Sequence, residues 1–146
     1  MENTTIEITE EKKKIGAGII IMSALYLLIN GFSILGNIMD LINQDEINKT
    51  NEALSQMGVA LQVTTSDIII SLVVSLIIVT SVILILLKSG IGVFLFAGIT
   101  VLNLVYNMIA FSFNVFYIIG SLIGLIIPAL MLFFIYRKKD IYFKKS

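Results

Sequence analysis

The sequence specifies an all-α integral membrane protein, with four transmembrane helices in an antiparallel bundle and both N and C termini cytoplasmic. Three observations carry this reading. Of 146 residues, 58% are apolar and 14% charged, against about 45–50% and about 25% in soluble domains. Ten Lys and Arg balance ten Asp and Glu, yet the charges are confined to short segments. Ile15 to Met39, Ile68 to Leu87 and Ser89 to Tyr136 hold none, giving uncharged stretches of 25, 20 and 48 residues. A soluble fold of this size could not hide them, because its surface needs charge to stay dispersed.

A hydrocarbon core of about 30 Å takes about 20 helical residues to cross. The first span is Ile15 to Ile42, long enough to tilt or to run into the interface, and the second is Ile68 to Leu87. The 48-residue stretch divides into Ile91 to Phe111 and Val115 to Tyr136, with Ser112, Phe113 and Asn114 as a tight connection. Lys88, Ser89 and Gly90 make the other tight turn, where Gly90 is expected to take the left-handed conformation that ends a helix. Connections this short force antiparallel neighbours. The chain thus divides into a tail over 1–14, a four-span domain over 15–136 and a basic tail over 137–146.

Orientation follows from the basic residues, which favour the cytoplasmic side of span ends. Lys12, Lys13, Lys14, Lys88, Arg137, Lys138, Lys139, Lys144 and Lys145 fall on one side, and Lys49 on the other. The opposite side carries Asp40, Asp45, Glu46, Glu52 and Asp67, which with Lys49 leave a net charge of −4. Lys12 to Lys14 resemble the start of a signal peptide, but the apolar run that follows is too long for one and is expected to stay as a span.

The external loop, 43–66, is expected to hold a short amphipathic helix. Thr50 would cap it, Glu52 suits its positive end, and Leu54, Met57 and Leu61 form its apolar stripe, with Ala53 and Ala60 beside them and Gly58 as a weak point. Its expected place is the lipid surface or the top of the bundle. The N-terminal tail, Met1 to Glu11, is too short to fold alone. In the C-terminal tail, Arg137, Lys138, Lys139, Lys144 and Lys145 surround an apolar centre at Ile141 to Phe143. Each basic group near an anionic leaflet gains about 1 kcal/mol, so this tail is expected on the membrane surface.

Composition removes whole classes of chemistry. The chain has no Cys and no His, which excludes thiolate nucleophiles, imidazole acid–base catalysis and zinc sites of the ordinary kind. No cofactor is expected. No long basic run or helix-turn-helix pattern points to nucleic acid, and no Gly-rich loop precedes a helix as phosphate binding would require.

The informative residues are the polar ones within the spans, since each unsatisfied polar group in hydrocarbon costs several kcal/mol. In the first span Ser23, Asn30, Ser33, Asn37 and Asp40 step by 7, 3, 4 and 3, which keeps them on one face. Asp67, Ser71 and Ser75 do the same in the second, and Thr100, Asn103 and Asn107 in the third, with Asn114 continuing that line. The leading expectation is that these stripes join helices, through interhelical hydrogen bonds worth about 0.6 kcal/mol on average. The competing one is a wetted cavity or path lined by Asn30, Asn37, Asn103 and Asn107, with Asp40 and Asp67 at its outer mouth.

The fourth span contributes Gly120, Gly124 and Pro128 at i, i+4 and i+8. The GxxxG pattern permits close helix contact, expected within the chain before any dimer face, and Pro128 predicts a kink at Gly124. Phe111, Phe113, Phe116 and Tyr117 are expected as anchors at the outer interface, and Phe94, Phe96 and Tyr136 at the inner one.

Gly36, Asn37, Ile38, Met39 and Asp40 resemble the GNxxD motif of the lipoprotein signal peptidases, which are four-span aspartyl proteases, and Phe113, Asn114 and Val115 resemble the start of their FNxAD motif. The resemblance covers eight residues and ends at Tyr117, which stands where that family places its second catalytic Asp. An aspartyl mechanism needs two carboxylates sharing a proton and a water, so no enzyme activity is expected. The functional expectation is a multi-pass protein of a cell membrane that acts by binding in or beside the bilayer, as an accessory subunit or an immunity-type protector. The alternative is a small oligomeric channel, holin or transporter. Expected partners are the lipid bilayer, another membrane protein, or a second copy through the fourth span. Frequent Ile, Asn and Lys fit an AT-rich, bacterial genome.

Overall fold

The computed structural model describes residues 14–58, 63–110 and 115–143, with the side chains of Phe116 and Tyr117 also outside the description. Expectations for the N-terminal tail through Lys13, for Ala60 and Leu61, for Phe111 to Asn114, for the side chains of Phe116 and Tyr117, and for Lys144 and Lys145 lie outside it. The described residues form α1 (Ala17–Ile42), α2 (Gln44–Gln56), α3 (Thr65–Leu86), α4 (Gly90–Ala110), α5 (Val115–Gly124), α6 (Ile126–Arg137) and α7 (Lys139–Tyr142). Four helical segments are long and apolar enough to cross a membrane: α1, α3, α4, and Ile118–Arg137 across α5 and α6.

Each boundary has a local cause. α3 begins before the uncharged stretch because Thr64 caps it. The Thr64 hydroxyl accepts from the Asp67 amide while the Asp67 carboxylate accepts from the Thr64 amide, a reciprocal capping box. α3 ends in a Schellman turn, with the Lys88 amide donating to the Ile85 carbonyl and the Ser89 amide to the Leu84 carbonyl. The left-handed residue there is Lys88, at φ +62°, and not Gly90 as expected. Gly90 answers a different demand: a Cβ on it would stand 2.8 Å from the Tyr142 carbonyl oxygen.

α2 starts earlier than its sequence suggested. Thr50 lies inside it and donates to the Glu46 carbonyl, so it is no cap. Gly58, at φ +75°, stops the helix and does not weaken its interior. The fourth span is interrupted at Leu125, between Gly124 and Ile126. Pro128 has no amide hydrogen to offer the Gly124 carbonyl, which accounts for the break.

α3 packs between α1 and α4, and α6 closes the bundle against both. Glycine lets two of these contacts tighten. A Cβ on Gly92 would stand 2.6 Å from the Leu84 Cβ and 2.8 Å from the Ser81 carbonyl oxygen, so the α3–α4 crossing requires its absence. A Cβ on Gly18 would meet the Phe134 ring at 2.9 Å.

The packed core lies at the end of the bundle that carries both termini. Ile19 of α1, Val82 and Ile85 of α3, Val93 and Phe96 of α4, and Met131 and Ile135 of α6 are buried together. Tyr26 closes this cluster toward mid-bundle, its ring edge-on to Phe96 at 5.1 Å. Phe96, expected as an interfacial anchor, is therefore a core residue. Phe94 and Tyr136 remain exposed. The C-terminal tail departs further from expectation, because Ile141 and Tyr142 of α7 join the core and Phe143 meets Phe94 edge-on at 5.6 Å. Its apolar centre plugs the bundle, while Arg137, Lys138 and Lys139 stay exposed.

The outward faces are apolar, with Phe32 72% and Ile42 80% exposed on α1 alone. An apolar surface this extensive matches a hydrocarbon surround.

Candidate functional site: a polar cavity in half of the bundle

The half of the bundle nearest α2 is organised differently. Here residues of α1, α3 and α4 line a cavity of about 760 Å³. The first stripe supplies Asn30, Ser33, Asn37 and Asp40 to it, the second Asp67, Ser71 and Ser75, and the third Asn103 and Asn107. Nine of the eleven predicted polar positions thus share one space.

Two fall elsewhere. Thr100 turns its hydroxyl back to the Phe96 carbonyl at 2.7 Å, satisfying itself within α4. Ser23 is fully buried, and its hydroxyl has no partner among the described residues. Asn114 lies outside those residues.

Some of the lining polar groups join helices. The Asn37 amide nitrogen donates to Ser71 Oγ of α3 at 3.1 Å and to Ser33 Oγ on its own helix at 3.5 Å. Ser33 and Ser75 share a hydrogen bond of 3.3 Å between α1 and α3. Others bond within one helix: Asn30 Nδ2 donates to the Tyr26 carbonyl at 2.9 Å, and Asn107 Nδ2 to Asn103 Oδ1 at 3.4 Å.

The floor is apolar. Ile78 lines the cavity and also packs against the core, so the polar space stops where the packed half begins. Asn30 sits near the midpoint of α1, which places this floor at about mid-membrane depth.

The mouth lies toward α2. Leu54 and Val63 reach the cavity from above, and Ile47 is buried seven residues before Leu54 on the same helix face. The inward face of α2 thus runs through Ile47, Asn51 and Leu54, while Met57, expected in its stripe, is 77% exposed. Asn51 clasps the returning chain, its Oδ1 accepting from the Val63 amide at 2.7 Å and its Nδ2 donating to the Val63 carbonyl at 3.1 Å.

Of the two carboxylates at the mouth, Asp67 is fully engaged. One of its oxygens accepts from Thr64 and the other from the Tyr106 hydroxyl of α4 at 3.0 Å. Asp40 makes no hydrogen bond among the described residues. Sequence reasoning missed Tyr106, Thr64 and Asn51. Tyr106 was findable one residue before Asn107 on the polar side of α4, whereas the Asn51 clasp joins residues 12 apart across a loop and leaves no periodic trace.

α5 contributes no described residue to the cavity. Its main packing is with its chain neighbours α4 and α6. A Cβ on Gly120 or Gly124 would meet nothing within 4 Å, so the expected packing of the GxxxG face within the chain is not found. The break before Pro128 separates this half-helix from α6, which does pack.

Among the described residues no group of three or more metal-ligating side chains occurs. Comparison with protein-family models, with curated proteins and with solved structures finds no match to this chain.

Proposed function

We propose that this is a non-enzymatic membrane protein that acts by binding within the bilayer, as an accessory subunit or an immunity-type protector, and that the cavity is its binding site. The carrying observation is a polar cavity open toward α2 and floored at half depth by packed apolar side chains. Concave sites of about 300–1,000 Å³ with a few placed polar groups suit a bound molecule. A conducting path would have to continue through Phe96, Val82, Ile85 and Met131, each at 0% exposure. The basic bias supports a reading with the termini in the cytoplasm and the mouth outside, and the proposed setting is a bacterial cytoplasmic membrane.

A second reading, an oligomeric channel, holin or transporter, draws on the unpacked Gly120 and Gly124 face, through which copies could meet. Ion and dye flux separates the two. Liposomes holding the purified protein are expected to remain as tight as protein-free ones. Flux that disappears in a folded Asn103→Leu, Asn107→Leu variant would establish a permeation path and overturn the binding reading.

A further inference from the structure

Around the cavity both acceptors and donors are left over, but the unengaged charge among the described residues is negative. Asn30, Asn37 and Asn107 each spend their amide nitrogen on a protein acceptor, and their side-chain oxygens have no partner among the described residues. Asn30, 8% exposed, sets its oxygen at the cavity floor. Asp40 adds an unengaged carboxylate at the mouth. Against these stand the amide nitrogen of Asn103, the second N–H of Asn30 and of Asn107, and the Ser71 hydroxyl hydrogen, all neutral donors. No Lys or Arg lines the cavity among the described residues. The uncompensated charge is therefore negative and calls for a cation.

A hydrogen bond from a charged donor to a carboxylate or amide oxygen is stronger than one between neutral groups. Ammonium and guanidinium groups carry only donors. Asp45, Glu46 and Glu52 on α2 raise the local concentration of cations beside the mouth. The floor at Ile78 and the wall at Val74 suit an alkyl body. We propose that the cavity binds an organic cation, a primary ammonium or guanidinium group on an apolar body, with the cationic head on Asp40 and the spare Asn oxygens. This rests on the binding reading above and names its ligand class.

The chain has no cysteine, so Ser71→Cys places a single thiol on the cavity wall. The experiment follows its rate of maleimide labelling in phosphatidylcholine nanodiscs, with octylammonium, octyl phosphate or octanol added. Octylammonium is expected to slow labelling while the other two do not. Adding Asp40→Asn should weaken that protection by about tenfold, the loss of one hydrogen bond to a charged group. Asp40 makes no hydrogen bond among the described residues, so this change leaves the helix contacts standing.

A parallel arm replaces part of the lipid with phosphatidylethanolamine. Protection there without added probe identifies a lipid headgroup as the source of the ammonium. Protection by octylammonium alone identifies a water-borne cation. Equal or better protection by octyl phosphate or octanol overturns the ligand class while leaving the binding reading in place. So does free labelling that no probe slows. A thiol that never reacts overturns both, because the cavity is then closed to water.

Discussion

At the residue scale, the close contacts make the sharpest predictions. Gly92→Ala forces a methyl against the α3 backbone and should destabilise the bundle by about 1–3 kcal/mol, the usual cost of overpacking. Gly31→Ala is the matched control, since a Cβ there meets nothing within 4 Å. It should be neutral or slightly stabilising, because Ala is the better helix former. Reversible unfolding in mixed detergent micelles, followed by circular dichroism, checks both. Asn37→Ala removes hydrogen bonds to Ser71 and Ser33, and in the same assay should cost about 0.6 kcal/mol and less than about 1.7, the measured range for interhelical bonds. A larger loss would mean that Asn37 carries more of the fold than these bonds explain. Most cavity residues were legible in the sequence, because polar groups spaced at 3 and 4 within apolar runs have to share a face. Which of them bond to each other was not, since that depends on how three helices are rotated. Thr100 and Ser23 show the limit: a hydroxyl on the right face can still satisfy itself within its own helix or remain in the packed core.

At the element scale, the expected span boundaries came from length and charge; α1 and α4 lie within two residues of them, while the fourth span is broken at Leu125 and its long apolar segment runs Ile118–Arg137. α3 starts at Thr65 and not Ile68, because a capping box counts as polar sequence yet belongs to the helix. Thr64→Ala should cost about 1 kcal/mol through loss of that cap, read from the same unfolding curves. The Asn51 clasp predicts a different effect. Asn51→Ala releases the chain at Val63, so thermolysin added on the α2 side should cut near this point faster without a fall in global stability. In the fourth span, Pro128→Ala gives the Gly124 carbonyl its missing donor and should join α5 to α6 as one continuous helix. Hydrogen exchange should then show a protected amide at position 128, and an unprotected one would contradict the assigned cause of the break. The Pro128 break was readable from sequence chemistry. The docking of Ile141 and Tyr142 was not, because Lys and Arg on either side made the tail look like a surface segment.

At the scale of the whole molecule, the bundle divides by depth. One half is held by interlocking apolar side chains and glycine contacts, with α7 as its plug. The other surrounds a cavity with polar groups, with α2 above and no described residue of α5 in its lining. This division gives the molecule a packed base and a polar recess, which supports the proposed binding role. Apolar periodicity fixes which residues leave the lipid, but it does not separate a dry seam from a wet cavity. That difference comes from the Tyr26 and Phe96 contact, which is tertiary.

The most direct test of this account is the reach of water into the cavity from each side of the membrane. In oriented vesicles, single cysteines at Ser71, Asn107 and Val82 would be exposed to a membrane-impermeant maleimide, first from the α2 side and then from the side of the termini. The account predicts that Ser71→Cys and Asn107→Cys react from the α2 side alone and that Val82→Cys reacts from neither. Labelling of the cavity positions from the side of the termini would reveal a continuous path and contradict the floored cavity.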